Sequence, residues 1–199
     1  MEARFVYDIP TKVYFGQDHL ENLVPEINRF GKRVLLVYGK GSVKRSGLYD
    51  KVMAQLNPSD IEVFEYSGID PNPRHTSVNE AAELCRKENI EVILAVGGGS
   101  TIDAAKIIGT ATFYEGDSWD IVTRKVPPTN TLPIISILTL SATGSEMNGG
   151  GVISNMDTKE KIGFGYPGQR PKVSFLDPTN TYSVSKFQTA SGTADILSH

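Results

Sequence analysis

Ala95-Val96-Gly97-Gly98-Gly99-Ser100-Thr101-Ile102-Asp103-Ala104-Ala105-Lys106 is the stretch that decides the fold. An apolar run over residues 92–96 feeds it, and a helical pattern starts at Ser100. Strand, glycine turn and helix start together make an anion site. Glycine lets the backbone approach a ligand and tolerates φ > 0. The helix N-terminus adds unpaired N–H groups and a positive dipole end. A nucleotide-like diphosphate is the expected guest of Gly97, Gly98, Gly99 and Ser100, with a purely structural turn as the alternative. Ser100 either caps the helix or also donates its hydroxyl to phosphate. Asp103 either compensates the helix dipole or touches a ligand or a neighbouring loop.

Outward from this turn, strands alternate with helices. The pattern predicts strands at 5–7, 12–15, 33–38, 61–66, 92–96 and 132–138, and helices over 19–30, 48–56, 76–88 and 100–113. This alternation implies βαβ units and a parallel sheet, so the fold class is α/β. Such sheets bind ligands at the carboxyl ends of their strands, where the Gly39 and Gly97 turns fall. After Ser141 the chain becomes richer in glycine and polar residues, with short β-like runs at 149–154, 162–164 and 173–176. Residues 185–199 read as a helix whose Ser185-x-x-Gln188 start resembles a capping box. Asp117 to Asn130 reads as a polar, proline-bearing surface loop.

Bulk numbers narrow the classes. At 199 residues the chain can form one large domain, or one domain and part of another. The balance of 20 basic against 23 acidic residues gives a net charge of −3, which argues against general nucleic-acid binding. No run approaches the ~18 apolar residues of a membrane span, and the first residues lack an apolar leader, so a cytoplasmic location is expected. The one cysteine, Cys85, falls in a helical pattern and is expected to be a buried small hydrophobe.

Three further segments bear on chemistry. Gly39-Lys40-Gly41-Ser42-Val43-Lys44 contains no acid. A carboxylate usually meets the ribose hydroxyl of NAD, whereas the 2′-phosphate of NADP needs room and positive charge. This turn suits the 2′-phosphate, or is simply a tight βα turn with solvated lysines. The hydroxyls and amides of Thr139, Leu140 and Thr143 line a cofactor or form a polar turn. Asp195 and His199 stand four apart on a helix, so they share a face. They are a surface pair or two ligands of one divalent metal, which needs at least one more. His19 and His75 are expected to be caps or surface residues.

Together these segments resemble the iron-containing alcohol dehydrogenase family. The carrying residues are the Gly97–Asp103 stretch, Thr143-Gly144-Ser145-Glu146, Leu176-Asp177-Pro178 and the Asp195-x-x-x-His199 ending. The branch resembled is that of NADPH-dependent aldehyde reductases and butanol dehydrogenases, through Gly39–Gly47 and Leu138–Asn148. The resemblance implies a Rossmann-like N-terminal domain of the dehydroquinate synthase-like fold, a parallel sheet flanked by helices. It implies hydride transfer between NADP(H) and a primary alcohol or aldehyde at a divalent metal, iron or zinc, in a homodimer. Gly97, Gly98, Gly99 and Ser100 would hold pyrophosphate, with Asp103 beside them. Gly39, Gly41 and Ser42 would meet the 2′-phosphate side. Thr139, Leu140 and Thr143 would line adenine, ribose or nicotinamide. Lys161 would reach the cofactor ribose, and Pro71 and Asn72 would lie near it. Asp195 and His199 would bind metal together with two histidines of a following helical domain. The resemblance thus implies a dinucleotide-binding unit over 1–184 and, over 185–199, the first helix of an otherwise missing domain, inactive alone. A glycerol dehydrogenase-like enzyme or a lyase of the dehydroquinate synthase type is the alternative; the Gly39–Lys44 and Thr143–Glu146 segments disfavour the lyase.

Overall fold

The computed structural model describes Arg4 and residues 9–198. The strand predicted at 5–7 and residue His199 lie outside the described residues. Six strands form one parallel sheet: β1 (Lys12–Phe15), β2 (Arg33–Gly39), β3 (Glu62–Ile69), β4 (Val92–Gly97), β5 (Ile134–Leu138) and β8 (Val173–Leu176). Their order is β1-β8-β5-β4-β2-β3. The remaining two strands, β6 (Gly150–Asn155) and β7 (Glu160–Gly165), make an antiparallel hairpin.

The interiors of β2, β4 and β5 are apolar but for Ser136, because both faces of the sheet are covered. Leu35, Val37, Ile93, Ala95 and Ile134 face one core cluster, formed with α4 (His75–Lys87) and α5 (Gly99–Ala111). Val34, Leu36, Tyr38, Leu94 and Ile135 face the other, with α1 (Leu23–Ile27), α2 (Ser42–Arg45) and α3 (Leu48–Leu56). The hydroxyls of Ser136 and Ser174, both fully buried, satisfy each other at 2.8 Å across β5 and β8.

Chain direction fixes the site. After β2 the chain moves outward to β3, then crosses back through α4 to β4, and leaves β4 through α5 for β5 on the other side. The strand order therefore reverses between β2 and β4, and a crevice opens at their carboxyl ends. The α5 helix is buried nearly all round, because the β6–β7 hairpin covers the side that the sheet does not.

Several predicted elements shift. Residues 19–30 form a 3₁₀ turn (His19–Asn22) and the short α1 rather than one helix, since Pro25 sits inside the pattern. The loop expected over 117–130 contains α6 (Ser118–Val122). Asp117 caps it by accepting from the Trp119 N–H, and Trp119, Ile121 and Val122 are buried. The last helix, α7 (Lys186–Ser198), begins where Ser185 Oγ accepts from the Gln188 N–H at 3.2 Å. His75 is not on the surface; it opens α4 and is buried, beside Trp119. His19 is half-buried against Tyr14.

Candidate functional site: the crevice at the strand ends

The glycine turn works by close approach and not by left-handed geometry. None of Gly97, Gly98 and Gly99 has a positive φ, whereas Gly41 stands at +128° and Gly144 at +68°. A Cβ on Gly97 would lie 2.4 Å from Thr101 Oγ1. One on Gly98 would lie 3.3 Å from Leu140 Cβ, and one on Gly99 3.3 Å from Thr143 Oγ1. Helix α5 starts one residue earlier than predicted, with Gly98 in the cap position, so Ser100 is in the first turn and not the cap. No side chain among the described residues caps this helix. The Thr101 N–H already donates to the Gly98 carbonyl at 3.0 Å, which leaves the Gly99 and Ser100 amides, at the lining of the crevice, without an intrahelical partner.

That crevice is a cleft of about 370 Å³, bounded by the Gly39–Ser42 turn, Pro71, Gly98–Thr101 and Leu140. A second cleft of about 360 Å³ continues it past Thr139 and Leu140 towards Asn180 and Ser183. Ser42, Arg45, Gly98, Leu140 and Gln188 line both. Tying β5 to β4, the Thr139 N–H donates to the Gly97 carbonyl at 3.0 Å. Asn72, itself left-handed at φ 58°, accepts from Lys161 Nζ at 2.7 Å, which brings the hairpin to the Pro71 rim. Of the residues singled out in the sequence, Gly39, Gly41, Ser42, Pro71, Gly98, Gly99, Ser100, Thr139 and Leu140 line these two clefts, whereas Asn72, Gly97, Asp103, Thr143 and Lys161 do not. A different cavity of about 290 Å³, walled by Ile121, Pro127, Phe164 and Gln169, contains none of them.

Asp103 is half-buried, and both of its oxygens are engaged by neighbouring segments. Oδ1 accepts from Ser145 Oγ at 2.6 Å and Oδ2 from the Val152 N–H at 2.9 Å. Burial raises its carboxyl above the usual range despite these bonds. One turn on, Lys106 is fully buried and donates to Ser145 Oγ (2.7 Å), Asn148 Oδ1 (3.0 Å) and the Gly150 carbonyl (2.6 Å). Burial pulls its ammonium down to about 8, against the opposing charges of Asp103 and Glu146. Sequence reasoning passed over Lys106; the signal was a lysine inside the apolar run Ile102 to Ile108.

The acid-free character of the Gly39 turn does not survive folding. Parallel pairing sets Gly39 beside Ile69, and the next residue, Asp70, forms an ion pair with Lys40. Lys40 holds the Asp70 carboxyl below its usual range. Arg74 Nε also stands 3.4 Å from that carboxylate. Lys44 turns away over the Tyr49 ring, 4.4 Å from its centroid. Neither lysine is left as a simple solvated cation, and Lys40, in its ion pair, and Arg45 are the basic residues that line the cleft.

Of the residues implied as metal ligands, only Asp195 lies among the described ones, half-buried on α7. The described residues contain no group of three or more His, Cys, Asp and Glu that could hold a metal ion. They do not by themselves fit a metal centre. Cys85 is buried in α4, where burial pushes the thiol up to about 12, as a core residue requires.

The chain as a whole is similar to known proteins. A sequence model of iron-containing alcohol dehydrogenases matches residues 10–178. NADH-dependent butanol dehydrogenase A of Clostridium acetobutylicum is 53% identical over 98% of this chain and 50% of the relative. The NADPH-dependent aldehyde reductase YqhD of Escherichia coli is 38% identical over 96% of this chain and 49% of its own. The crystal structure of NADH-dependent butanol dehydrogenase A from Thermotoga maritima superposes with a TM-score of 0.94 at 43% identity, over 98% of this chain and 50% of that one. The chain spans about half the length of these relatives. With the parallel sheet, the glycine turn and the matched residues in agreement, this chain belongs to the iron-containing alcohol dehydrogenase family.

Proposed function

We propose that the crevice binds a nicotinamide dinucleotide, with its pyrophosphate on the Gly97–Ser100 turn. The observation that carries this reading is the uncapped first turn of α5 opening on a cleft that side chains at Gly98 and Gly99 would narrow. Bound there, the nicotinamide would accept or give hydride. This chain's residues bind and orient it. The α5 amides hold phosphate, Thr139, Leu140 and Thr143 line the ribose and nicotinamide side, and Lys161, steadied by Asn72, reaches a ribose. In the whole protein the reaction is hydride transfer between a primary alcohol and its aldehyde. The domain assignment belongs to the same proposal: 1–184 bind the dinucleotide, and 185–199 open a helical unit in which Asp195 and His199 take part in holding a divalent metal, iron or zinc. On this reading residues 1–199 bind dinucleotide without turning over butanal.

For the cofactor we propose NADP(H). Ser42 and Arg45 line the cleft next to Gly41 and supply a hydroxyl and a cation of the kind that a 2′-phosphate needs. One specific observation favours NAD(H) instead: Asp70 brings a carboxylate to the same turn. Two of the relatives named above are also NADH-dependent by name. Titration of NADPH and NADH into the chain and into D70N decides. The NADP(H) reading expects NADPH to bind more tightly, and D70N to gain further for NADPH by about 1 kcal/mol as a like charge is removed. Equal affinities in the parent contradict it. A homodimer is also part of the proposal, across edge strand β1, where Val13 and Phe15 are exposed.

A further inference from the structure

Lys106 stands two turns into α5, roughly 10 Å from the glycine turn, and the dinucleotide reading gives it no role. Its three donors all go to the 141–150 segment that follows β5. They converge with no acceptor repeated. Ser145 Oγ takes one proton from Lys106 and passes its own to Asp103 Oδ1, so donor and acceptor order is fixed along Lys106, Ser145 and Asp103. Asn148 Oδ1 takes the second, and the same carboxamide donates through Nδ2 to the Thr143 carbonyl at 3.3 Å. Gly150 takes the third through its carbonyl, and its N–H donates back to Asn148 Oδ1 at 3.0 Å. Thr143 in turn sets its hydroxyl over Gly99, and Leu140 lies over Gly98. An unbroken run of polar contacts thus leads from the buried ammonium to the wall that faces the cradle.

A buried ammonium in a helix interior is a costly way to fill space, because an apolar side chain of similar volume packs there without desolvation. What the lysine supplies and an apolar residue cannot is three directed bonds, two to the turns between β5 and β6 and one to the first residue of β6. We infer that Lys106, with Ser145 and Asn148, is a positioning group: it holds the segment after β5 over the glycine turn and thereby sets how tightly the dinucleotide is gripped. This rests on the dinucleotide reading, and the experiment separates the two.

The parent, N148A and K106M are compared by NADPH titration, by thermal melting and by amide hydrogen exchange of residues 143–152. N148A removes an exposed side chain, so it keeps the inference open to refutation if K106M fails to fold. The expected result is NADPH binding about tenfold weaker in N148A, the loss of one charge-assisted bond, and weaker still in K106M, which removes all three. Faster exchange confined to 143–152, including the Val152 amide, accompanies it, and the melting temperature of N148A stays at the parent value. A general loss of structure would instead lower the melting temperature and speed exchange throughout. Parent-like NADPH affinity and parent-like exchange in N148A overturn the inference. If the parent itself binds no dinucleotide, the functional reading fails. The exchange pattern then decides alone: local loss supports the hold on the segment, and no loss refutes it.

Discussion

Gly97 is where a single atom matters most. A methyl group there would lie 2.4 Å from Thr101 Oγ1 and 2.7 Å from its Cβ, neither at the end of a flexible chain. We expect G97A to lose about 1–3 kcal/mol of stability by overpacking, measured by urea unfolding, and G97A/T101A to recover most of it. A G97A protein as stable as the parent contradicts the close-approach account. At this scale the sequence was legible in part. The glycine cluster and Thr143 pointed to a cradle; of the two reasons given for the glycines, close approach applies to Gly97, Gly98 and Gly99, and freedom of φ belongs to Gly41 and Gly144. The pairing of Lys40 with Asp70 was invisible, because thirty residues separate them and only the β2–β3 register brings them together.

Elements were read best where burial on both sheet faces forces an apolar run, as in β2, β4 and, but for Ser136, β5. They were read worst where polar composition hides a cap, as at Asp117 and α6, or where proline interrupts a pattern, as at α1. Edge strand β1 is tied to α1 through Glu26, which is buried while Lys12 and Arg29, its ion-pair partners, are exposed. Burial alone would raise this carboxyl, but bonds from Lys12, Tyr14 and Arg29 outweigh it and bring it from 4.5 down to about 2. A carboxyl lowered in the folded state stabilises fully above its unfolded value and loses that contribution as pH falls through the folded one. Between pH 5 and pH 2 the parent should therefore lose about 2 kcal/mol more than E26Q, discounted for the exposed partners. Parallel urea-unfolding profiles of the two proteins over that range contradict this.

For the molecule as a whole, the reversal of strand order between β2 and β4 sets the crevice, and the alternation of strands and helices was enough to locate it. Cover on the outside was not legible. Nothing in the periodicity of 149–164 announced that the β6–β7 hairpin would bury α5 and deliver Lys161 to Asn72. No helix among the described residues is long and apolar enough to cross a membrane. Large apolar side chains nevertheless remain exposed, among them Val13 and Phe15 on β1 and Phe187, Ile196 and Leu197 on α7. Patches of this kind favour association. Size-exclusion chromatography should show self-association of the chain, reduced in F15K if the β1 edge carries the dimer. An unchanged elution volume in F15K removes that edge from the assembly.

The direct test of the central claim is the amide NMR spectrum of the chain during NADPH addition. Phosphate held by the open turn of α5 predicts that the backbone signals of Gly98, Gly99 and Ser100 move first and furthest, with Thr139 and Thr143 following. Saturable binding that leaves those three amides unmoved, or no binding at all, contradicts the account.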